Sequence, residues 1–142
     1  MTTYTVDKIS VSIAEKLREA EKIVAMQHGD FTLFGLFELE ESPGKWDLVA
    51  AAPWLETRRN KIADLIEMLG AVFDVKDWKI ISAVVPMKVT SDFVQAITQK
   101  YDIDHSLEEI GNTYVNGTYI NHAFIITSNK SPVTIIEQSL AA

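Results

Sequence analysis

Residues 31–54 read FTLFGLFELEESPGKWDLVAAAPW, and this stretch decides the fold class. Two apolar runs flank Ser42, Pro43 and Gly44. Proline presets φ and glycine admits the positive φ of a type II turn, so the stretch predicts a β-hairpin. The first strand, over 31–40, is apolar on both faces at Phe31, Leu33, Phe34, Leu36 and Phe37, while Glu38 and Glu40 mark its wet end. A strand patterned this way is covered on both sides at one end and open at the other. The second strand, over 46–52, carries the run Ala50, Ala51 and Ala52, whose small side chains let another element come close. Pro53 closes it, and a helix is expected to follow directly.

Outward from the hairpin, amphipathic periodicity marks the rest. Val6, Ile9, Ile13, Leu17, Ala20 and Val24 recur at steps of three and four, which places them on one stripe of a first helix. Glu15, Lys16, Arg18, Glu19, Glu21 and Lys22 are assigned to its polar side, and Gly29 is a left-handed stop. Leu55, Ile62, Leu65, Ile66, Leu69, Val72 and Phe73 describe a second helix starting near Thr57. Residues 78–87, WKIISAVVPM, read as a strand rich in β-branched side chains. Thr90, Ser91 and Asp92 cap a third helix with Phe93, Val94 and Ile97 inward. Asn116 and Gly117 form a strong hairpin signal between strands at 109–115 and 118–127. Ser131 and Pro132 open a short terminal helix.

The resulting order, α-β-β-α-β-α-β-β-α, predicts one α+β domain over residues 1–142. Its sheet is expected to be mainly antiparallel with about five strands and helices on one side. In element order, size and acidity the chain is similar to small secretion chaperones and roadblock-like signalling domains, a likeness of architecture alone.

Composition narrows the function classes. The chain has 142 residues, a formal net charge of −7 and no cysteine. Thiol catalysis, disulfides and thiolate metal sites are thereby excluded. The acidic balance disfavours nucleic acid and anionic membranes, both of which require a positive field. The opening MTTYTVDK lacks a basic start and an apolar run, and no segment reaches the roughly 18 unbroken apolar residues of a membrane span. A cytoplasmic protein is expected.

Motifs for chemistry are weak. His28, His105 and His122 lack zinc-site spacing, and the acidic loop 102–109 reads as a solvated charge run. Pro43, Gly44 and Lys45 end like a P-loop, but Leu39 stands where its first glycine belongs. No nucleophile elbow of the Gly-x-Ser-x-Gly kind is present. Asp77 and Lys79 have the acid-x-Lys spacing of a metal nuclease strand, with Asp47 as the second acid, and this reading ranks third.

One stretch breaks a local rule. Arg58, Arg59 and Lys61 put cations into the first turn of a helix, which opposes the macrodipole at roughly 0.3–1 kcal/mol each. With Trp54 one turn earlier, the group could grip a phosphate or carboxylate on free helix N–H groups. Salt bridges to Glu38, Glu40, Glu41 and Glu56 are the plainer account. Trp46, Trp54 and Trp78 are all placed at strand ends. The expectation is a non-catalytic protein-binding or assembly domain, self-associating as a homodimer or engaging a protein partner. Its contact surface is assigned to residues 46–52 and 55–73, with Arg58 and Arg59 at the rim. No cofactor or metal is assigned. The rival expectation is a small-anion or nucleotide-binding domain using Trp54, Arg58, Arg59 and Lys61.

Overall fold

Strands that are apolar on both faces need cover on both faces, and the sheet is built around that requirement. The computed structural model of the chain describes residues 3–39, 44–56 and 61–129, without the side chains of residues 3–11 and 61. In chain order the elements are α1 (Thr3–His28), β1 (Leu33–Leu39), β2 (Trp46–Ala51), a 3-10 turn (Pro53–Glu56), α2 (Lys61–Gly70), α3 (Val75–Ile80), β3 (Ile81–Pro86), α4 (Asp92–Lys100), β4 (Glu108–Val115) and β5 (Thr118–Ser128). They make one five-stranded sheet in the order β3-β2-β1-β5-β4. Three of its pairings are antiparallel, and β2–β3 is parallel. The sheet is therefore mixed, because the chain between β2 and β3 crosses over through helices instead of turning back.

Each face of the sheet has its own core. Phe34, Leu36, Leu48, Ala50 and Phe124 pack under Ile13 and Leu17 of α1 and Leu65 and Leu69 of α2. Leu33, Phe37, Val49, Ala51, Ala123 and Ile125 pack on the other side with Val94 and Ile97 of α4. The one-sided cover expected from sequence is thus corrected: helices occupy both faces. The alanine run belongs to an inner strand and is wholly buried, so β2 is no contact surface.

Two further differences have local causes. Residues 75–80 are helical, not the start of a strand, because Asp74 and Asp77 form a reciprocal capping box. Trp78 consequently sits in a helix and Trp54 in the 3-10 turn, while Trp46 alone opens a strand. Several stops, caps and turns agree with expectation. Gly29 ends α1 with φ 118°, Ser91 caps α4, and Asn116 and Gly117 both take positive φ in the β4–β5 hairpin. The terminal helix expected at Ser131 lies outside the described residues.

The joint between β1 and β5 is the tightest point. Phe34 faces Thr127 while Gly35 faces Ile125, so β5 carries one extra residue, Ile126, opposite this step. Such a bulge re-aims the side chains beyond it. Thr127 shares the side of its partner Phe34, which is the α1 side. The approach is close enough that a Cβ on Gly35 would lie 2.7 Å from the Phe124 carbonyl oxygen and 3.1 Å from Ile125 Cα. Gly35→Ala is expected to destabilise the fold by about 1–3 kcal/mol, read by chemical denaturation.

Candidate functional site

Helix α1 faces three environments, and two of them define sites. Its stripe of Ile13, Ala14, Leu17, Ala20 and Val24 is buried on the sheet. The flank beside that stripe is apolar yet open: Ile23 is 53% exposed and Met26 84% exposed. Ala20, Ile23 and Val24 face Met68, Ala71 and Val72, from α2 and the turn after it, across an open groove of about 170 Å³. Gln27 is the polar residue at its edge. Small alanines at Ala20 and Ala71 leave the depression. Pockets for small molecules run to about 300–1,000 Å³, so this one suits individual side chains of a larger partner.

The second site lies where α1 meets the end of β5. Glu21 is fully buried, contrary to its assignment to the polar side of the helix. A buried carboxylate requires donors, and two side chains supply them. Thr127 Oγ1 donates to Glu21 Oε2 at 2.8 Å. His105 Nδ1 donates to Oε1 at 2.8 Å and lies 3.1 Å from Oε2. The His105 backbone N–H in turn reaches Thr127 Oγ1 at 3.3 Å, which closes the set. On the outer side, His105 Nε2 stands 3.6 Å from Asp30 and 3.5 Å from Asp104. The hydrogen bond to Glu21 raises the imidazole pKa above its ordinary 6.5; burial opposes this, and the charges of Glu21, Asp104 and Asp30 add to the rise.

Loop 102–109 is therefore not simply a solvated charge run, since its histidine reaches into the protein. The sequence held one signal for this. Glu21 stands four residues after Leu17 and three before Val24, inside the apolar stripe.

Of the binding residues singled out from sequence, the structure describes the side chain of Trp54. Trp54 stacks on His28 with ring centroids 4.8 Å apart and meets Phe31 edge-on at 5.4 Å. Arg58 and Arg59, and the side chain of Lys61, lie outside the described residues. Glu56, offered as their partner, accepts from the Val89 backbone N–H at 2.8 Å. Glu38 likewise accepts from the Gly44 N–H. His122 packs against the Trp46 and Phe124 rings, which also meet each other, and hydrogen-bonds Glu109.

The nuclease arrangement is overturned by secondary structure. Asp77 and Lys79 are on α3, where no strand face exists to align them. Burial works to raise the Asp77 pKa, but the Lys16 ammonium at 2.7 Å and the Asp74 backbone N–H outweigh it and hold the carboxyl below 3.8. Among the described residues no group of three or more acids and histidines is arranged to hold a metal ion, and no helix is long and apolar enough to cross a membrane. No protein-family model, curated protein or solved structure matches this chain.

Two outcomes follow from the buried pairs. Thr127→Val keeps the shape but removes a donor from Glu21, and a loss of about 1–3 kcal/mol is expected in thermal or chemical unfolding. The Asp77 contribution is present above 3.8 and lost as pH falls through the lower folded value. The stability advantage of wild type over Asp77→Asn is accordingly expected to shrink with acidification, as followed by denaturant titration from pH 6 to pH 3.

Proposed function

We propose that this chain is a non-catalytic protein-binding or assembly domain whose α1–α2 groove receives an apolar segment of a basic partner. The observation that carries this reading is the open apolar groove of about 170 Å³ with Ile23 and Met26 exposed along its flank. Contiguous exposed apolar surface of this kind is a contact feature, and side chains at helical spacing fill such grooves. Charge selects the occupant. Glu19 stands one turn before Ile23 on α1, and Asp64 stands one turn before Met68 on α2. The chain as a whole carries −7. A second copy of this chain would set acid against acid, whereas an amphipathic helix with lysine or arginine beside its apolar stripe is attracted and oriented. The cysteine-free sequence suits work in the cytoplasm.

The test is titration with a synthetic 18-residue Leu/Lys amphipathic helix, read by calorimetry, alongside light scattering over a dilution series. Saturable binding that weakens at least tenfold in Ile23→Glu, and that a Leu/Glu helix of the same pattern does not reproduce, is the expected result. Equal binding by Ile23→Glu would remove the groove from the account. A homodimer disrupted by Ile23→Glu would make the occupant a second copy, the form expected from sequence. Saturable binding of phosphate or ATP, lost in Arg58→Ala/Arg59→Ala, would favour the anion-binding alternative at Trp54, Arg58, Arg59 and Lys61.

A further inference from the structure

The connection between α4 and β4, residues 101–107, packs Ile103 into one core and Leu107 against the other and accepts a hydrogen bond from Ser128 Oγ at the Tyr101 carbonyl, and two further kinds of contact hold it. Backbone bonds tie it to β5: Ile103 N–H donates to the Ser128 carbonyl at 3.0 Å and Ser106 N–H to that of Ile126 at 2.9 Å. His105 ties it to α1 by reaching Glu21, 84 positions away in sequence. To do so its backbone takes φ 48°, a left-handed conformation that side-chain-bearing residues adopt seldom. The contacts of the ring and of the backbone N–H with Glu21 and Thr127 are what hold it there.

The two faces of the imidazole respond differently to its proton. Nδ1–H donates to Glu21 whether the ring is charged or neutral. Nε2 faces Asp30, from the α1–β1 connection, and Asp104, from its own connection. As N–H in the imidazolium it attracts both carboxylates, while as a bare lone pair it repels them. From β5, Thr127 Oγ1 accepts from the His105 backbone N–H, and this hydroxyl does not titrate. Glu21, Asp30 and Asp104 are thus the charges that face it among the described residues.

We propose that His105 is a protonation-controlled latch: as imidazolium it holds residues 101–107 to α1 by a charge-assisted bond to Glu21 and by attraction to Asp30 at Nε2, and on losing its proton it keeps only the neutral Nδ1–H bond to Glu21, so that the connection opens more readily. The latch stands independently of what the α1–α2 groove receives. Its direction follows from linkage. The folded pKa is raised above 6.5, so the stabilisation is fully present below 6.5 and is lost as pH rises through the elevated folded value. Opening belongs to the alkaline side.

Amide exchange of Ile103, His105 and Ser106, corrected for intrinsic rates and measured by NMR from pH 6 to pH 8.5, reads the latch. Protection is expected to fall by about tenfold for each unit by which folding raises the imidazole pKa, with β1 amides unaffected. The His105 ring, followed in the same samples, is expected to titrate above 6.5 with a midpoint matching that of the amide profile. His105→Gln, which keeps a donor for Glu21 without the titration, is expected to flatten the profile. A flat profile in the wild-type protein overturns the proposal, as does a ring titrating at or below 6.5. An unchanged slope in His105→Gln does so too. The first two readouts need no variant, so they stand if His105→Gln does not fold.

Discussion

The close approach of β1 and β5 at Gly35 is the constraint on which the rest of the molecule depends. Strand β1 is an inner strand with a core on each face, so its two neighbours must both run at full pairing distance. The absent side chain at Gly35 lets β5 fit its extra residue against β1 without a collision. That extra residue is what sends Thr127 to the α1 side, next to Phe34. A packing detail in the middle of the sheet thereby places a hydroxyl under the longest helix.

Once Thr127 is there, Glu21 can be buried, and the consequences spread outward. A carboxylate with no access to water binds α1 to whatever supplies its donors. Here the donors are a β5 hydroxyl and an imidazole from the α4–β4 connection. Three parts of the chain that are remote in sequence meet at one charged group. The Lys16–Asp77 pair does the same for α1 and α3 at 2.7 Å, with Asp77 also capping its own helix. Helix α1 is in this way held on the sheet by apolar contacts from Ile13 to Val24, and by ionic contacts to α3 and to the α4–β4 connection.

A helix anchored so firmly can present its remaining flank as a rigid surface. Ile23 and Met26 are left in solvent beside the groove to α2, and their exposure is not offset by any polar role. Preformed surfaces of this sort bind with less ordering cost than flexible ones. Several polar side chains serve the structure: Asp77, Glu38 and Glu56 each accept from a backbone N–H, and Glu21 and Glu109 each pair with a histidine.

Local chemistry made much of this fold legible from sequence. The antiparallel pairing of β1 with β2, the α1 stripe from Ile13 to Val24, the cap at Ser91 and the Asn116–Gly117 turn depend on residues within a few positions of one another, and each agrees with the structure. Of the candidate site, Trp54 could be found but its stacking on His28 could not, since that requires the end of α1 to fold back over the 3-10 turn. The strand expected from Trp78 yielded to a capping box that competes locally with β propensity. The burial of Glu21 is not legible locally: it stands in the apolar stripe, but a charge there is unfavourable unless partners 84 and 106 residues away are brought to it. Sequence by itself determined the α+β class and most of its turns, because those are set by short-range sterics and periodicity. The tertiary structure alone decided the two-sided cover, the parallel β2–β3 pair and the Glu21–His105–Thr127 cluster, because burial and pairing across the sheet set the cost of each.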